Sequence, residues 1–152
     1  HNPADKHDTH VAALCRALEA LRRLPEELRP RRVLGCEVWR DLDWLPDEDK
    51  QILPVSSRPN IAASLVGLFD SQISGGKRYD LATIGRRLAN ATYFMPRKTD
   101  EMEALTYAVD LTPMVENPEL SLAEFVEELI DRFHEDVIQR IKRVERNSSH
   151  LT

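Results

Sequence analysis

Two histidines three residues apart, His7 and His10, stand where a loop runs into a helical pattern, with Asp5 and Asp8 beside them. That spacing lets both rings face one side of the helix start. Neutral imidazole is a favoured zinc ligand, and a zinc hydrolase needs two or three protein ligands plus an open position for water. Ligating histidines commonly give their second N–H to a carboxylate, and the neighbouring aspartates could accept it. The stretch HNPADKHDTH holds three of the five histidines of the chain. By spacing alone, the same letters also describe a polar helix start.

The elements that must hold these residues follow from periodicity. Val11, Leu14, Cys15, Leu18 and Leu21 recur at helical spacing from Thr9, with Asp8 or Thr9 as N-cap and Pro25 as the stop. RRVLGCEVW reads as a strand, and the acidic RDLDWLPDEDK that follows reads as a solvated loop containing Asp41, Asp43 and Trp44. QILPV reads as a second strand, which Pro54 confines to an edge or a strand end. NIAASLVGLFDSQI places Ile61, Leu65, Leu68, Phe69 and Gln72 on one helical face, ending where Gly75 or Gly76 can form a C-cap. Asp80 can cap the next helix, LATIGRRLANAT, and EALTYAVDL alternates as a strand. Ser121 and Glu124 form a capping box ahead of a long apolar stripe from Leu122 to Val144. His134 on that helix reads as a partly exposed helix residue. The expected organisation is one α/β domain over residues 1–146, with 147–152 as a flexible tail.

The totals narrow the class. The 152 residues suit one core. A net charge of -5 argues against a general nucleic-acid binder, and the short basic run from Arg29 to Arg32 reads as a solvated turn. No apolar stretch is long enough to cross a bilayer. Cys15 and Cys36 lie in apolar runs and read as buried free thiols, which points weakly to a cytoplasmic home.

HNPADKHDTHVAAL resembles the C-terminal metal motif of the PIG-L or LmbE-like family of zinc-dependent N-acetylglucosaminyl deacetylases, whose typical form is His-Pro-Asp-His leading into a helix. LVGLFDSQ is similar to that family's helix ending in Ser-Gln or Thr-Gln. EVWRDLDWL, FDSQISGGKRYD and GRRLANATYF look like one bacterial branch, so the resemblance runs from His1 to about Phe94. It implies a Rossmann-like three-layer α/β fold, here without its N-terminal strands and helices, and one divalent metal, usually zinc. The chain would then be the C-terminal part of a hydrolase removing acetyl from an N-acetylglucosamine-type amino sugar conjugate, with a homo-oligomer as an open option.

The resemblance implies roles residue by residue. His10 matches the third metal ligand, and His7 the imidazolium that stabilises the oxyanion and protonates the leaving amine. The family's Asp before the final His is Thr9 here, so Asp8 or Asp5 would take over its part beside His7. Two ligands and the general base belong to a His-Pro-Asp-Asp stretch that is not in this sequence, so the chain is expected to be inactive alone. Gln72 matches the family's Gln and would hydrogen-bond a ligand, or serve as a helix-end amide satisfied by loop backbone; Lys77, Arg78 and Tyr79 would supply substrate donors, or form a solvated turn after a helix C-cap. Apart from the resemblance, Arg40 follows Trp39 at the end of an expected strand, where ligand groups of α/β folds gather, and would clamp an anionic substituent or simply pair with the acidic loop. The rival expectation is a non-catalytic relative that docks a partner through its last helix.

Overall fold

The computed structural model describes residues 1–94 and 102–148. In chain order the elements are α1 (Asp8–Arg22), β1 (Leu34–Cys36), β2 (Lys50–Pro54), α2 (Pro59–Gly67), α3 (Tyr79–Phe94), β3 (Leu105–Asp110), α4 (Thr112–Glu116) and α5 (Leu122–Ser148), with 3-10 turns at Glu26–Leu28 and Asp70–Gln72. The strands form one sheet in the order β1-β3-β2. The Val33 carbonyl, just before β1, accepts the Leu111 N–H just after β3 at 2.8 Å, and the Val55 N–H just after β2 reaches the Ala104 carbonyl just before β3 at 2.9 Å. Both outer strands therefore run antiparallel to β3. The architecture is mixed α/β with a small sheet.

By contact the chain forms two compact units, His1–Lys50 with Val109–Thr152, and Gln51–Ala108. The core of the first joins Leu14 and Leu18 of α1, Leu45, Val109, Leu111, Met114 and Val115 around α4, and Leu129 of α5. Arg22 ends α1 by donating to the carbonyls of Met114 and Leu120, the latter at 2.9 Å, which satisfies groups that the α4–α5 connection leaves without a helical partner. The capping box at α5 is formed in both directions. Ser121 N–H donates to Glu124 Oε2 and Glu124 N–H to Ser121 Oγ, each at 3.1 Å. The Ser121 hydroxyl and the Ser121 backbone N–H beside it hold the Glu124 carboxyl below its ordinary range. Ser148 still belongs to α5, so the expected tail from residue 147 begins inside the helix, and residues 149–152 lie outside the described residues.

Several boundaries differ from the sequence reading. Helix α1 starts at Asp8 with His7 as N-cap, and no side chain caps it. Asp8 instead sits in the first turn, where a negative charge suits the helix dipole. The strand expected over residues 31–39 is only three residues long, because Thr112 Oγ1 accepts the Val33 N–H at one end and the chain turns at Val38 to reach Asp41 at the other. The acidic loop is not wholly solvated. Asp41, Leu42 and Leu45 are buried, Trp44 packs against the core, and its indole N–H donates to the Asp41 carbonyl at 2.8 Å. Cys15 is exposed and Cys36 half-buried, which corrects the expectation of two buried thiols. Cys15 lies about 100° round α1 from Leu14, outside the narrow stripe that faces the core.

In the second unit, Leu105, Tyr107 and Ala108 of β3 are buried, and the Asn90 carbonyl of α3 accepts the Tyr107 hydroxyl at 3.3 Å. Helix α2 ends at Gly67, not beyond Gln72, so Leu68 and Phe69 leave the helical stripe and are exposed. Gly76, with φ +94°, takes its left-handed conformation in the turn before α3, not as a cap on α2. Helix α3 begins at Tyr79, which puts Asp80 inside its first turn.

Candidate functional site

The residues before α1 are held by two short polar side chains. Asn2 is fully buried. Its Oδ1 accepts the Ala4 N–H at 2.9 Å, folding the chain into an Asx turn, while its Nδ2 donates to the Cys36 carbonyl of β1 at 3.0 Å. Asp5 repeats the local pattern, with Oδ1 accepting the His7 N–H at 3.0 Å. This approach to β1 requires glycine at position 35. A Cβ there would lie 3.1 Å from the His1 carbonyl oxygen, 3.2 Å from Asn2 Cα and 2.8 Å from Leu111 Cδ1.

With the loop so fixed, Asp5 Oδ2 lies 2.7 Å from His10 Nδ1 and 3.7 Å from His1 Nδ1. The Asp5 side chain is wholly buried, whereas that of His10 is 31% exposed, so a shielded carboxylate backs a ring that still reaches solvent. Burial by itself pushes the Asp5 carboxyl up. The His7 N–H, the His10 hydrogen bond and the charges of His10 and His7 together outweigh it and hold the group below the ordinary aspartate range. The His7 ring is exposed, 5.0 Å from that of His10 and tilted 60° to it.

His1, Asp5 and His10 are close enough to suggest a shared cation. Their orientations divide them. The His1 and His10 rings stack at 4.2 Å with planes 15° apart. A metal lies near the plane of each imidazole it binds, so two nearly parallel rings at that separation cannot both bind one ion as they stand. Two donors in one tetrahedral zinc shell sit about 3.3 Å apart, given metal–nitrogen bonds of ~2.0–2.1 Å. The 2.7 Å between Asp5 and His10 is instead a hydrogen-bond length. His10 with Asp5 behind it fits a single metal ligand with its supporting carboxylate, and Nε2 is the ring atom left to bind.

The remaining sequence candidates occupy plain settings. Asp8 is exposed on the first turn of α1, and among the described residues its side chain makes no hydrogen bond or ion pair. Arg40 is exposed and pairs with Asp43 at 3.1 Å, the acidic-loop contact foreseen beside the clamping role. Gln72, Lys77, Arg78 and Tyr79 belong to the second unit. Gln72 and Lys77 are exposed, and Tyr79 is half-buried at the start of α3. Arg78, at φ 49°, forms a two-pronged bond with Asp80 at 2.7 and 3.0 Å. The guanidinium beside Asp80 holds that carboxyl below its ordinary value.

His1, Asn2 and Gly35 were not singled out from the sequence. Asn-Pro-x-Asp carried a signal, since Asn and Asp each favour bonding a backbone N–H two residues on. Gly35 carried none, because its constraint comes from residues distant in the chain.

No family model matches the chain, and no similar curated protein or solved structure is found.

Among the described residues, no helix is long and apolar enough to cross a membrane.

Proposed function

We propose that this chain forms the C-terminal part of a metal-dependent hydrolase that removes an acetyl group from an N-acetylglucosamine-type amino sugar conjugate. The observation that supports this reading most is the pairing of half-exposed His10 with buried Asp5 at 2.7 Å, inside the very motif that resembles the PIG-L or LmbE-like family. In this reading the α/β elements belong to a Rossmann-like layered domain, and further strands and two further ligands come from a segment carrying His-Pro-Asp-Asp.

His10 would hold the zinc, or another divalent ion, through Nε2. When bound, such an ion lowers the pKa of water and polarises the acyl carbonyl. The chain's own residues do the rest. Asp5 keeps His10 oriented, and its backbone bond to His7 keeps the second ring beside the first. His7, exposed at the helix mouth, supplies positive charge near the acyl oxygen and a proton for the departing amine. Arg40, in the same unit as the histidines, would have to leave Asp43 to clamp an anionic substituent.

The test is acetate release from an N-acetylglucosamine conjugate by a polypeptide in which this chain follows a segment supplying His-Pro-Asp-Asp. Release that needs a divalent metal and stops with chelator supports the reading. Absence of release with zinc, manganese or iron rejects it.

A second reading has an observation of its own. Along α5, Ile130, Phe133, Ile141 and Val144 remain between 37% and 58% exposed. A helix this apolar and this uncovered suits a partner chain, as a non-catalytic interaction module would require.

A further inference from the structure

We propose that Asp5 is the positioning residue of the candidate site, locking the His10 imidazole in its Nδ1–H tautomer so that the Nε2 lone pair is permanently presented. As a tautomer lock the proposal stands on geometry alone; its value for metal binding rests on the function proposed above.

A carboxylate can only accept. At 2.7 Å from His10 Nδ1, Asp5 Oδ2 makes Nδ1 the protonated nitrogen of the neutral ring, and the lone pair is left on Nε2. A free histidine in water prefers the opposite arrangement, so the lock reverses an intrinsic bias. Asp5 is able to impose this because it cannot swing away. Its side chain has no solvent exposure, and its other oxygen is held by the His7 N–H at 3.0 Å. Asn2 fixes the same loop from behind through the Cys36 carbonyl. Asp8, three residues further on and exposed, has no such hold on either ring, which assigns the supporting carboxylate to Asp5. Because one carboxylate binds the His7 backbone and the His10 ring, it also sets the spacing of the two imidazoles.

The experiment is long-range proton–nitrogen NMR of the 152-residue chain with labelled histidine, without metal, at about pH 8, above the ordinary histidine pKa of ~6.5. His10 is expected as the Nδ1–H tautomer in the wild type and in Asp8→Ala. Asp5→Ala is expected to shift it to Nε2–H, and the near-isosteric Asp5→Asn to reduce the Nδ1–H population while unchanged His134 signals report an intact fold. A wild-type His10 in the Nε2–H form, or a Nδ1–H preference that survives both Asp5 variants, overturns the proposal. With the remaining ligands supplied, Asp5→Ala should weaken zinc binding about 10–100-fold. Failure of acetate release would reject the hydrolase while leaving the tautomer result intact, so the two ideas fail separately.

Discussion

Asn2 donates through Nδ2 to the Cys36 carbonyl at 3.0 Å, and this bond ties the histidine loop to β1. Asn2 is fully buried, so Asn2→Ala leaves the Cys36 carbonyl and the Ala4 N–H without their partner. An unsatisfied buried group costs about 1–3 kcal/mol. Urea unfolding should show a loss in that range, and hydrogen exchange should rise from His1 to His7. An Asn2→Ala protein as stable and as protected as wild type would mean that the loop is held by other contacts.

Gly35 is required by the same approach. In Gly35→Ala the new Cβ meets backbone atoms of His1 and Asn2 at 3.1 and 3.2 Å, and neither can yield without moving the loop. Overpacking of this kind costs about 1–3 kcal/mol. The variant should lose stability and, in the same sample, the Nδ1–H signal of His10. Loss of stability with an unaltered His10 would place the strain at Leu111 rather than at the loop.

The depressed Asp5 pKa fixes the sign of a pH effect. A carboxyl held lower in the folded state than its ordinary ~3.9 contributes stability above that value and loses it as pH falls through the folded pKa. Between pH 5 and pH 3, wild type should therefore lose more stability than Asp5→Asn, which has no carboxyl to protonate. Asp110 and Glu124, also held low, titrate in both proteins and cancel in the comparison. Equal losses would show that Asp5 is not held ionised by its partners.

At the other end of the first unit, Ser121→Ala removes the N-cap of α5. Such substitutions cost about 1 kcal/mol. Thermal unfolding followed by circular dichroism should show the lower midpoint, and an unchanged midpoint would mean that packing at Leu122 and Phe125 holds the helix start unaided.

Local chemistry made parts of this molecule legible in the sequence. The Ser121–Glu124 box, the apolar run of α5, Pro54 at the end of an outer strand and the histidines at the mouth of α1 all depend on neighbours within a few residues. Helix α4 escaped notice because Thr112–Glu116 is too short to show a period. The burial of Asp41 and Leu42 escaped because an acidic run hid two core leucines within it. Gln72 was read as part of a helical stripe that Gly67 in fact ends. For the site, His10 and the two candidate aspartates could be named from spacing, but the choice of Asp5 depended on the Asn2 anchor and on Gly35, contacts more than thirty residues apart in sequence.

Metal content tests the His10 assignment most directly. When this chain is joined to a segment supplying the remaining ligands and purified with zinc, wild type is expected to retain bound metal through dialysis and His10→Ala to lose it, along with acetate release. His7→Ala should keep the metal and lose turnover. Undiminished zinc in His10→Ala would contradict the ligand role on which the proposed hydrolase depends.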